Sequence, residues 1–175
     1  LERLAGELGV YVSFGLSEAD RDHYYITQVF LGPRGFLYRY RKTWLYRDDA
    51  DPGYRNEIAR YDPGTGPEAF EIAGFRATCF ICADGSSPRC LDRARALRPQ
   101  IVFHPKNHFS PGNSPLCRDR ARAVGAILLA TNWVGWSWTG NCLGGCVVYD
   151  GQGRELAVAN CEGREEILHY RLRIG

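Results

Sequence analysis

An α/β layered domain is the fold class this sequence predicts, and three observations lead to it. Short β-rich apolar segments recur along the chain, helix-periodic segments stand between strands in its middle, and clusters of Gly, Pro and Asp separate them. A length of 175 residues suits one domain with a single core, residues 1–175. The 45% hydrophobic and 24% charged residues are the balance of an ordered globular protein.

Leu1, Leu4, Ala5 and Leu8 fall at helical spacing and predict an opening helix. Residues 9–15, glycine-bounded and β-rich, predict a strand. Residues 24–31 and 36–41 predict two more, joined as a hairpin by the turn chemistry of Gly32-Pro-Arg-Gly35. The polar stretch 48–66 reads as an irregular loop. Residues 75–83 have the apolar run of a strand buried on both faces, broken by Asp84-Gly-Ser-Ser-Pro88. Ser87 and Pro88 suit the cap and first turn of a helix carrying Leu91, Ala94 and Leu97. A strand at 101–104, a helix at 114–125 with Pro115 in its first turn, and a strand at 127–131 follow. Residues 146–149 and 155–159 flank Asp150-Gly-Gln-Gly153 as a second hairpin, and 165–172 predict a closing strand.

Lys plus Arg number 22 against 20 Asp plus Glu, so the net charge of +2 creates no global field for nucleic acid or a membrane surface. Arginines cluster at 89–98 and 118–122, where Asp92 and Asp119 interrupt them; both runs predict solvated helix faces. The longest apolar stretch, 123–130, falls far short of the ~20 residues of a membrane helix, and no signal segment opens the chain. Seven cysteines without framework spacing predict reduced thiols in a cytoplasmic protein. The sequence contains no Met, and its first residues read as the second half of a longer helix, the start of a fragment or trimmed chain.

Cys82 is the strongest candidate for chemistry. It ends a predicted buried strand before a turn into a helix, where unpaired N–H groups and the helix dipole favour a thiolate and can bind an oxyanion. Cys79 and Cys82 form a C-x-x-C, but residues three apart on a strand point to opposite faces, and Cys142 and Cys146 are a looser pair; no metal site is expected. Lys42 ends a strand in Tyr40-Arg-Lys-Thr-Trp-Leu45, and Glu57 lies in a loop. Taken singly they read as an exposed edge lysine and a surface charge.

Together, Gly15, Arg41-Lys-Thr-Trp-Leu45, Glu57 with Tyr61-Asp-Pro-Gly64, and Ile81-Cys-Ala-Asp84 are collinear with the landmarks of the nitrilase superfamily of carbon–nitrogen hydrolases, which the chain resembles along nearly its whole length. Lys42 and Cys82 are 82 − 42 = 40 positions apart, within that family's usual range. Arg120-Ala-Arg-Ala123, Ala130-Thr-Asn132 and residues 145–153 look like its later landmarks. Ala83, the Ser87-Pro-Arg89 segment and Trp44 depart from the usual pattern, which bears on substrate class.

The resemblance implies an α-β-β-α sandwich of mixed sheets with flanking helices, here without its first strand and helix. It implies a Glu-Lys-Cys triad acting through a cysteine thioester: Cys82 as nucleophile, Lys42 as stabiliser of the oxyanion, and Glu57 as the glutamate that positions Lys42. The general-base Glu is expected upstream of Leu1, since Glu18 aligns with a later, non-catalytic strand end. Asn132 and Trp133 fall in a loop that lines the pocket in relatives, and Trp133, Trp136 and Trp138 suggest an apolar substrate group. The implied partners are a small-molecule amide or N-carbamoyl compound, or alternatively a nitrile, and further copies of the chain as a homo-oligomer. No cofactor is implied. A Cys–His hydrolase using His104 or His108 and a non-catalytic interaction module are the rival readings.

Overall fold

A computed structural model describes residues 1–47, 56–112, 114–137 and 140–172. Helix α1 (Glu2–Leu8) leads into an antiparallel meander of β1 (Val12–Asp20), β2 (His23–Gly32) and β3 (Gly35–Arg41). Gly32 and Gly35 close the predicted β2–β3 hairpin, and Gly35 takes a φ of 104° that a residue with a Cβ rarely adopts.

The second sheet has six strands in the order β11-β10-β7-β6-β5-β4. These are β4 (Phe70–Ile72), β5 (Phe75–Cys79), β6 (Ile101–Lys106), β7 (Ile127–Asn132), β10 (Val147–Tyr149) and β11 (Glu155–Val158). Its centre, β5-β6-β7, is parallel, and the outer pairs are antiparallel. Helix α2 (Pro88–Ala96) crosses from β5 to β6, and α3 (Pro115–Val124) from β6 to β7. Parallel neighbours need such crossovers. A small ribbon of β8 (Val134–Ser137) and β9 (Gly140–Leu143) stands apart.

Aromatic residues join the two sheets. Phe30 of β2 lies 4.7 Å from Phe70 and 5.0 Å from Phe103, and Tyr38 of β3 stacks on Phe70 at 4.5 Å. Alternation along β6 sends Phe103 toward that interface and its neighbour His104 to the opposite face, under α3. Cys90 and Ala94 of α2 and Cys117, Ala121 and Val124 of α3 bury that second face. With α1 against β2 and β3, the layers run helix, sheet, sheet, helices.

Several boundaries differ from the sequence expectation. The strand expected over 75–83 ends at Cys79 because the Asp84 carboxylate captures the Ile81 N–H and the chain turns at Cys82. Residues 165–172 form no strand; Ile167 is 80% exposed, with no sheet face to cover it. The β4–β5 hairpin was not anticipated: its two-residue turn is Ala73-Gly74, both with left-handed φ, and Ala-Gly is a weak turn signal. Arg120, expected on a solvated face, is buried. Residues 48–55 of the expected loop, and Trp138, lie outside the described residues.

Candidate active site

β3 ends at Arg41, and the next residue turns inward. The Lys42 N–H bonds to the Ile26 carbonyl and its own carbonyl accepts the Gly64 N–H, both at 2.8 Å, so the backbone is held from two sides. Its side chain is 1% exposed and donates to both Glu57 carboxylate oxygens, at 2.7 and 2.5 Å. Glu57 sits in a single 3-10 turn (Glu57–Ala59) and also accepts the Tyr46 N–H at 2.6 Å. A buried ammonium and a buried carboxylate persist in such a place only as a bonded pair. Strand alternation sends Arg41 the other way, onto the Tyr25 ring and the carboxylates of Glu18 and Asp20. Glu18 is thereby committed to Arg41, Arg39 and the Thr27 hydroxyl, and the Arg41 hydrogen bond holds its carboxyl below the usual range.

Cys82 opens a 3-10 turn (Cys82–Ser86) at the C-terminal end of β5, half-exposed, with a φ of 46°. A left-handed cysteine is strained backbone, and the surroundings must hold it. Two clamps do so. On one side the fully buried Asp84 accepts the Thr43 N–H (3.1 Å) and Trp44 N–H (2.6 Å) at Oδ1, and the Ile81 N–H and Tyr40 hydroxyl (both 2.8 Å) at Oδ2. Burial pushes the Asp84 carboxyl upward, and these donors pull against it.

On the other side Arg120 of α3 donates to the Gly85 carbonyl (2.9 Å), the Ser86 hydroxyl (3.0 Å) and Nε2 of His104 (2.8 Å). Nδ1 of His104 bonds to the Phe80 carbonyl at 3.0 Å. An arginine can only donate and a carbonyl can only accept, so the imidazole carries its proton on Nδ1. Burial, then the Arg120 charge, holds it well below the usual histidine range. Gly85 is required here: a Cβ would come within 2.4 Å of Arg120 Nε.

Asn132 closes β7, paired with Lys106 of β6, and Trp133 follows it. The Asn132 side chain accepts the His108 N–H and donates to the carbonyls of His108, Ser110 and Gly144, tying the loop after β6 to the turn before β10. Both residues line a cavity of about 240 Å³ with Cys146, Asn160 and Arg164, and Cys82, Lys42 and Glu57 are not among its walls. The fold thus brings Lys42 together with Glu57, and the segment after Lys42 together with the Cys82 turn, while Asn132 and Trp133 line the cavity at the end of β7. Trp136 is 81% exposed. His108 is partly buried, its Nδ1 accepting the Ser110 N–H.

Sequence reasoning quoted Asp84 and Arg120 without giving either a role. For Arg120 a signal existed: Cys117, Arg120, Ala121 and Val124 share the spacing of a buried helix stripe. Tyr40 and His104 offered none beyond their place on strands. None of the seven cysteines forms a disulfide, and among the described residues no group of three or more His, Cys, Asp or Glu is placed to hold a metal. No described helix is long and apolar enough to cross a membrane.

Comparison with known proteins bears on the fold and the family. A nitrilase of Pyrococcus abyssi (strain GE5 / Orsay) is 30% identical over 109 residues, 62% of this chain and 38% of that protein. A variant of the amidase from Nesterenkonia sp. AN1, with acrylamide added to its active-site cysteine, superposes with a TM-score of 0.79 at 23% identity, covering 93% of this chain and 63% of that one. The carbon-nitrogen hydrolase of Helicobacter pylori G27 gives 0.77 at 21% identity, covering 93% and 62%. The chain therefore spans less than two thirds of these relatives, and the structural likenesses speak to the fold. The family model for carbon-nitrogen hydrolases matches residues 1–173, and the chain belongs to that family, within the nitrilase superfamily.

Proposed function

We propose that the protein hydrolyses a non-peptide carbon–nitrogen bond, in an amide or N-carbamoyl substrate, through a thioester on Cys82. The observation that carries this reading is the buried Lys42–Glu57 pair, whose chain segment is bonded through Asp84 to the turn bearing Cys82. In this reading the Cys82 sulfur adds to the carbonyl carbon, and the Lys42 ammonium offsets the charge developing on oxygen. The intermediate expels ammonia or an amine, which takes up the thiol proton through a general base, and water then cleaves the thioester. Glu57 holds Lys42 in place. In this reading the base is a further glutamate, because Glu18, Glu57 and Asp84 are each committed to other partners. Nitrile hydrolysis by the same groups is the nearest variant.

The Cys–His alternative is opposed by the bonding of both histidines. Each ring nitrogen of His104 has a partner, and Nδ1 of His108 accepts a backbone N–H. Ammonia release from short amides, N-carbamoyl amino acids and nitriles, compared between the protein and Cys82→Ala, tests the proposal. Release lost in the variant supports it; release that survives Cys82→Ala and disappears in His108→Ala overturns it.

A further inference from the structure

Asp84 belongs to the Ile81-Cys-Ala-Asp84 motif, yet the chemistry above gives it no task. Its carboxylate is fully buried and accepts four hydrogen bonds, an unusual commitment for a group without a direct cationic partner. The partners fall into two sets. The Thr43 and Trp44 N–H groups directly follow Lys42, and the Tyr40 hydroxyl precedes it by two residues. The Ile81 N–H directly precedes Cys82. One side chain therefore joins the end of β3 to the turn beyond β5, segments that belong to different sheets.

We infer that Asp84 is a positioning residue that fixes Lys42 relative to Cys82, so that the ammonium meets the oxygen of a group attacked by the thiol. This rests on the roles proposed above for Cys82 and Lys42. A carboxylate is needed because all its donors converge on acceptor lone pairs. An amide at this position would turn its NH₂ toward either Thr43 and Trp44 or Ile81, and each side presents a backbone N–H that cannot reverse its role. One of the two links is lost in either orientation. A misplacement of about 1 Å in such a constellation is worth up to about 10²-fold in rate.

Two thiol reagents separate positioning from general damage, and neither requires turnover. Acrylamide accepts the Cys82 sulfur at its terminal carbon, its double-bond electrons pass to the amide oxygen as an enolate, and a proton from water completes the adduct. Charge therefore develops on an amide oxygen, the kind of atom that Lys42 is proposed to meet. Methyl methanethiosulfonate accepts the same sulfur at its sulfenyl sulfur and expels methanesulfinate, with no carbonyl to stabilise. Rates of modification at Cys82, mapped by peptide mass, should fall about 10-fold or more with acrylamide in Asp84→Asn, and stay within about twofold with the thiosulfonate. Lys42→Ala should show the same selective loss. If Asp84→Asn does not fold, Tyr40→Phe removes one donor to the same carboxylate and should give a smaller loss of the same selectivity. Equal losses with both reagents, or none with either, overturn the positioning role. If Lys42→Ala is not selective, the roles proposed for Cys82 and Lys42 fail instead.

Discussion

Arg120 donates across 2.8 Å to Nε2 of His104 and thereby fixes the buried imidazole as a neutral ring, acceptor toward α3 and donor toward Phe80. The arginine thus reaches the Cys82 turn twice: directly at Gly85 and Ser86, and through the histidine at Phe80.

A pH dependence follows from this pair. The folded imidazole is held well below 6.5 by burial and then by Arg120, whereas in the unfolded chain it titrates near 6.5. The unfolded state therefore binds the proton first. The His104 contribution is complete above pH 6.5 and declines as the pH falls below it, by up to about 1.4 kcal/mol per pH unit for one proton. Urea denaturation at pH 7.5, 6.0 and 5.0 should show a steeper acid-side loss in the native sequence than in His104→Gln. Parallel curves would mean that the histidine titrates normally in the fold.

Gly64→Ala should damage the Lys42 site through backbone contact alone. A Cβ at residue 64 would lie 2.1 Å from the Arg41 carbonyl oxygen and 2.8 Å from its carbon, while the Gly64 N–H bonds to the Lys42 carbonyl. Backbone cannot swing aside, so the strand end must shift, with overpacking of this kind costing about 1–3 kcal/mol. Gly15→Ala is the matched control, because its Cβ would meet the Gln28 side-chain oxygen at 3.2 Å and that side chain can yield. Thermal melting should separate the two variants clearly; equal melting temperatures would reject the close approach.

How much of this was legible depends on the range of the interaction. The β2–β3 hairpin and the start of α2 were readable because Gly32-Pro-Arg-Gly35 and Ser87-Pro88 carry local turn and cap chemistry, and the Ser87 hydroxyl does accept the Cys90 N–H. The segment 165–172 was misread because alternation predicts a strand only where a neighbouring strand exists. Lys42 and Glu57 could be paired only by family likeness, since they lie 15 positions apart with no local pattern linking them. Asp84 and Arg120 were visible as letters and not as clamps: apart from the Ile81 N–H, their partners lie 16 to 44 positions away, at distances set by sheet stacking and helix docking rather than local pattern. Arg120 also shows that a basic run can hide one buried member, detectable only from its helical phase with Cys117, Ala121 and Val124.

The last prediction concerns the Lys42–Glu57 pair itself. Glu57→Ala would leave a 1%-exposed ammonium without its carboxylate, and breaking a buried pair from one side costs about 3–5 kcal/mol. Glu57→Gln keeps one acceptor oxygen for Lys42 but sets its NH₂ against either the ammonium or the Tyr46 N–H, so its loss should be intermediate. The double variant Lys42→Met/Glu57→Leu removes both charges while filling similar volume, and should be less destabilised than Glu57→Ala despite carrying two changes. Urea midpoints for the three variants order these cases. A Glu57→Ala loss below about 1 kcal/mol would place the pair in the class of solvated surface bridges and remove the electrostatic basis for Lys42 as the group that meets the oxyanion.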